Sequence, residues 1–121
     1  MSPDFITEAV LTLTETYGTD HVRTAIEGAR TLVRVDDLEL YSTCNPTSTP
    51  ILVVLDPSQP KPVVYVRPGQ LLANGKTPKS TSVVMVGGES WLQFSLNAPW
   101  EEGHGIRRFV AAARQRFTQD E

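Results

Sequence analysis

The stretch GGESWLQFSLNAPWEEGHGIRRFVAAARQRF, residues 87–117, decides the reading of this chain. A glycine pair, Gly87–Gly88, opens an apolar run with strand-like alternation over residues 91–97. The Pro99–Trp100 corner ends that run. Ile106, Phe109, Val110, Ala113 and Phe117 then recur on one face of a helix. Both tryptophans of the chain, Trp91 and Trp100, flank this single corner. A buried indole covers on the order of 200 Å², so both rings are expected to be core. They would brace the junction between the last strand and the last helix.

Upstream of the glycines, VVMV (83–86) makes GGES a plausible hairpin connection. RPGQLLANGKTPKSTS (67–82) is the longest irregular segment, with Leu71 and Leu72 expected to tuck beneath it. VVYV (63–66) and ILVVL (51–55) flank the turn sequence DPSQPKP and form another hairpin. The unbroken apolar run of 51–55 suits a central strand, whereas YSTCNPTSTP (41–50) is a loop by composition. Val33 and Val35 alternate with Arg34, but Leu38 and Leu40 take the opposite parity. One extra residue within VDDL, as a bulge or tight turn, accounts for that flip.

SPDFITEAVLTLTETYG (2–18) reads as a helix with Ser2 as N-cap, Pro3 at the first helical position and Gly18 as its stop. Phe5, Ile6, Ala9, Val10, Leu13 and Tyr17 share one face. Thr19 looks like a second cap, with Val22, Ile26 and Ala29 as a shorter apolar face. The first quarter is therefore expected to be a helix pair, or one helix kinked at Gly18. Residues 1–121 then form one α+β domain. Its antiparallel β-meander sheet is flanked by the N-terminal helix, or helix pair, and the C-terminal helix.

Composition narrows the function classes. The chain carries 11 Lys and Arg against 14 Asp and Glu, a net charge of -3, with no basic stripe to neutralise phosphates. Nucleic acid is not an expected partner, and Arg107, Arg108, Arg114 and Arg116 read as a solvated helix face. A single cysteine, Cys44, excludes an internal disulfide and suits a reducing cytoplasm. No signal peptide or membrane-spanning run is apparent, so a soluble cytoplasmic protein is expected.

Several reactive motifs fail on spacing. GQLLANGKT (69–77) places five residues, not four, between its first glycine and Gly-Lys, and Pro78 bars the helix that a phosphate loop needs. GGESW lacks the flanking glycines of a serine elbow. His21, His104, Cys44 and the carboxylates, including the pairs Asp36–Asp37 and Glu101–Glu102, show no metal-ligand spacing. No cofactor and no metal are expected. Cys44, in a polar loop, is the one candidate nucleophile.

The order helix, meander, proline-bearing crossover and tryptophan-led helix resembles the ubiquitin-conjugating (UBC) fold and its catalytically silent RWD-type relatives. More narrowly, YVRPGQLLANGKTP (65–78) followed by ESWLQFSLNAPWEEGHGIRRFV (89–110) is similar to a prokaryotic ubiquitin-conjugating-like family. The matching positions are Pro68, Gly75 with Pro78, then Trp91, Phe94 and Ser95, and finally Trp100 with Gly103. The resemblance implies a UBC-like domain in a bacterial protein-modification or defence system. Its partner would be a ubiquitin-like protein or its activating or removing enzyme. In that family a catalytic cysteine stands shortly before the corner tryptophan. Here the corresponding stretch, Ser90 to Phe94, contains none, so thioester catalysis is not expected. Two alternatives remain open at this stage: an active conjugating enzyme that uses Cys44, and a small acidic chaperone or immunity protein of similar layout.

Overall fold

Helix α1 (Pro3–Tyr17) begins where the sequence demands: Ser2 Oγ accepts a hydrogen bond from the Phe5 amide at 3.2 Å, satisfying a donor the helix itself cannot. It stops at Gly18, whose φ of 93° suits only glycine and whose amide donates to the Thr14 carbonyl at 2.9 Å. The computed structural model describes residues 2–39, 48–59, 61–68, 83–94 and 105–116.

After Gly18 the expected second helix is replaced by a strand. β1 (Val22–Glu27) pairs antiparallel with β2 (Arg30–Glu39), from Val22 opposite Val35 to Glu27 opposite Arg30. Gly28, at φ 63°, opens the two-residue turn between them, and a hairpin turn of this length needs φ > 0 at that position. Val22 and Ile26 lie four residues apart, a spacing that keeps them on one side of a strand as well as of a helix. The β-branched Val22, Thr24 and Ile26 favour the strand.

β2 pairs with β3 (Ser48–Leu55), and the expected irregularity is present: Val35 faces Ile51 but Leu38 faces Thr49. Three steps on β2 thus match two on β3, which is one extra residue. Pro50 sits opposite this bulge, a place in a sheet where proline is tolerated. β3 begins at Ser48, so the end of the segment expected to be a loop is strand. Residues 40–47, Cys44 among them, lie outside the described residues. β4 (Val63–Val66) returns antiparallel to β3, as the alternation requires.

The last two strands depart from a meander. β5 (Val83–Val86) and β6 (Glu89–Phe94) form a hairpin closed by Gly87–Gly88 at φ 60° and 84°, so Glu89 and Ser90 belong to the strand and not to the connection. β6, not β5, pairs with β4, which gives the six-stranded antiparallel order β1-β2-β3-β4-β6-β5. Helix α2 (Gly105–Arg116) completes the described fold, an α+β arrangement of one sheet and two helices.

Alternation assigns the two sheet faces. Val33, Val35, Ile51, Val53, Leu55, Val64 and Val66 point to the side covered by α1 and α2, where they meet Phe5, Ile6, Ala9, Leu13, Ile106, Phe109 and Val110 in the main core. Leu32, Leu52, Val54, Val86 and Trp91 point the other way and form a second, smaller cluster. β1 and β5 stand at opposite ends of the strand order. Yet the Gly87 amide donates to Glu27 Oε2 at 3.1 Å, joining the β5–β6 turn to the end of β1. The sheet therefore curls around the second cluster.

Candidate functional site

The concave face is built by strand parity. On β2, Arg34 shares the side of Leu32; just past the end of β4, Arg67 continues the parity of Val63 and Tyr65; on β6, Glu89 precedes Trp91 by two. With β6 beside β4 and the sheet curled, these four side chains converge. The Trp91 ring is 2% exposed, and the guanidinium carbons of Arg67 and Arg34 lie 5.0 and 5.6 Å from its centroid. At that range each guanidinium is attracted by the ring's negative face.

Glu89 holds both arginines. Its Oε2 accepts from Arg34 Nη1 at 2.9 Å and from Arg67 Nη1 at 3.0 Å. Arg67 Nη1 also donates to the Ser90 carbonyl at 3.0 Å. Ordinary alternation on β2 puts Asp36 on the same side as Arg34, where Oδ1 accepts from Arg34 Nε at 2.8 Å and Oδ2 lies 3.4 Å from Arg23 Nε. Burial opposes the charge of Arg34, but the hydrogen bonds and fields of Asp36 and Glu89 outweigh it and raise its pKa. Glu89 thus holds Arg34 and Arg67 against the ring, with Arg34 tied to Asp36 as well.

Beside this cluster lies a cleft of about 210 Å³. Leu32, Leu52, Val86 and Trp91 contribute its apolar lining, and Arg23, Arg34 and Glu89 its charged rim. Pockets for nucleotides or drug-sized ligands run roughly 300–1,000 Å³, so this one suits a side chain or a small acid. Among the described residues no three His, Cys, Asp or Glu side chains gather to hold a metal ion.

The residues singled out from sequence fare differently. Trp91 is core, but in the second cluster, on the face away from both helices; the sheet-to-helix junction it is expected to brace, 95–104, lies outside the described residues. Phe94 ends β6 opposite Val64, and Pro68 is exposed just after β4. Ser95, Trp100, Gly75, Pro78, Gly103, His104 and Cys44, with most of segment 67–82, lie outside the described residues. Sequence reasoning missed Arg34, Arg67, Glu89 and Asp36 as a group. Their parity is readable; their convergence depends on strand order. No known protein family, curated protein or solved structure matches the chain. Among the described residues no helix is long and apolar enough to cross a membrane.

Proposed function

We propose that this chain is a protein-binding domain on a UBC-like plan, without thioester catalysis. Its partner is a ubiquitin-like protein, or the enzyme that activates or removes one, in a bacterial modification or defence system. One observation carries the non-catalytic half of this reading. The stretch Ser90–Phe94, where the resembled family keeps its cysteine, lies within strand β6, with Ser90–Leu92 paired to β5 and Leu92–Phe94 paired to β4. A strand held between two neighbours presents no loop on which a nucleophile could meet a modifier's terminus. The hydroxyl there, Ser90 Oγ, donates to the Met85 thioether at 3.3 Å and not to a base. The leading helix, the β1–β4 meander and the closing helix agree with the plan, while β5 and β6 extend it.

The partner rests on fold-level analogy, so the test must challenge it directly. The protein is incubated with the ubiquitin-like protein and activating enzyme encoded nearest its gene, with ATP. The expected result is a complex on gel filtration and no thiol-reducible adduct. An adduct that disappears on Cys44→Ser would make the chain an active conjugating enzyme. Absence of any complex with the modifier, the activating enzyme or a removing enzyme would sink the partner assignment.

A further inference from the structure

The two inner arginines of the concave face are each held by Glu89 over the Trp91 ring, whereas the outer one has a single longer ion pair. Arg34 gives Nε to Asp36 and Nη1 to Glu89, and Arg67 gives Nη1 to Glu89 and Ser90. Among the described residues Arg23, on edge strand β1, pairs only with Asp36, through Nε at 3.4 Å, and its side chain is 74% exposed. Arg23 lines the cleft, and among the described residues neither of its Nη groups has a partner. A planar fork of this kind matches a carboxylate through two parallel hydrogen bonds.

The charge around the cleft has the matching sign. Arg23, Arg34 and Arg67 face Asp36 and Glu89, which leaves one positive charge over on a chain whose net charge is -3. The acids are occupied: Glu27 by Arg30 and the Gly87 amide, Asp36 by Arg34 and Arg23, Glu89 by Arg34 and Arg67. Beneath the fork lies the apolar lining of Leu32, Leu52, Val86 and Trp91.

We infer that this cleft is a docking site for an acidic peptide segment of a partner protein. An Asp or Glu carboxylate of the segment pairs with Arg23, and a neighbouring Leu-sized side chain enters the apolar pocket. The cavity volume admits about one such side chain and excludes a nucleotide. Among the described residues no strand pairs with the outer edge of β1, where Arg23, Thr24 and Ala25 are exposed, so an extended segment can lie alongside. This deepens the protein-binding reading and rests on it only in taking the occupant to be a protein segment; a ubiquitin-like partner is not required.

The test titrates acetyl-Gly-Leu-Asp-Glu-Gly-amide into the ¹⁵N-labelled protein. Controls are its neutral Asn-Gln counterpart, its Lys-Lys counterpart, and succinate alone. The acidic peptide should shift the amides of Ala25 and Gly87 and the Trp91 indole N–H. The neutral peptide should bind about tenfold or more weakly, as expected for loss of a charge-assisted pair. Arg23→Gln should reduce affinity for the acidic peptide to the neutral level, with Arg23→Lys intermediate and both variants retaining the wild-type spectrum elsewhere. No shift at millimolar peptide would overturn the proposal, as would equal binding of all three peptides or an unaffected Arg23→Gln. Succinate acting as well as the peptide would assign the cleft to a free small acid and overturn the peptide occupant. Because the probe contains no ubiquitin-like protein, its result is independent of the partner assay.

Discussion

At Trp91 two kinds of stabilisation meet, and their magnitudes rank them. Removing a fully buried indole costs about 3–5 kcal/mol, against a total of about 5–15 kcal/mol for a typical domain. The ion pairs above it involve side chains 28% to 46% exposed, and pairs that wet contribute at most about 1 kcal/mol. Trp91→Ala should therefore destabilise several-fold more than Glu89→Gln in urea unfolding at neutral pH. Comparable losses would mean that the charged roof, not the ring, holds the second cluster. Asp56 provides a pH test. Its carboxylate accepts from the Ser58 amide at 2.9 Å and the Ser58 hydroxyl at 2.7 Å, and these bonds lower its pKa from the ordinary 3.8. The stabilisation is complete above pH 3.8 and is lost as pH falls through the lower folded value. Asp56→Ala should lower the melting temperature at pH 7, and the gap to wild type should close in more acidic buffer. A gap that stays constant with pH would refute this role.

Among the elements, the β5–β6 turn has the plainest conformational demand. Gly87 and Gly88 both adopt positive φ, 60° and 84°. A Cβ on Gly88 would meet nothing within 4 Å, and one on Gly87 would make ordinary contact with Leu32 Cδ1 at 3.6 Å. Space is not the obstacle; left-handed backbone is, at about 1–2 kcal/mol for a residue with a side chain. Gly87→Ala and Gly88→Ala should each cost that much by chemical denaturation, and neutral substitutions would contradict the turn geometry. Ser2→Ala should lose about 1 kcal/mol through its cap. These features were legible because each depends on residues near in sequence: the cap at Ser2, the stop at Gly18, the bulge after Val35, the hairpin around Gly87. β1 was not, for a specific reason. Most of this edge strand is exposed, so no clean apolar alternation marks it, and the Val22–Ile26 spacing fits two periods equally.

For the molecule as a whole, legibility ended at strand order. Arg34, Arg67, Glu89 and Trp91 each sit where their own strand's alternation predicts, yet nothing local says that β6 lies between β4 and β5. That placement depends on the path of the chain between Val66 and Val83, which spacing alone does not determine. Had β5 paired with β4, Trp91 would stand one strand farther from Arg67, and the cluster with its cleft would not assemble. The account stands on this one adjacency. Nuclear Overhauser contacts across the strands test it most directly. The expected pattern in a single sample joins Tyr65 to Gln93 and also Val84 to Trp91, the partners seen on the two sides of β6. Direct backbone contacts between β4 and β5, with Tyr65–Gln93 absent, would contradict it.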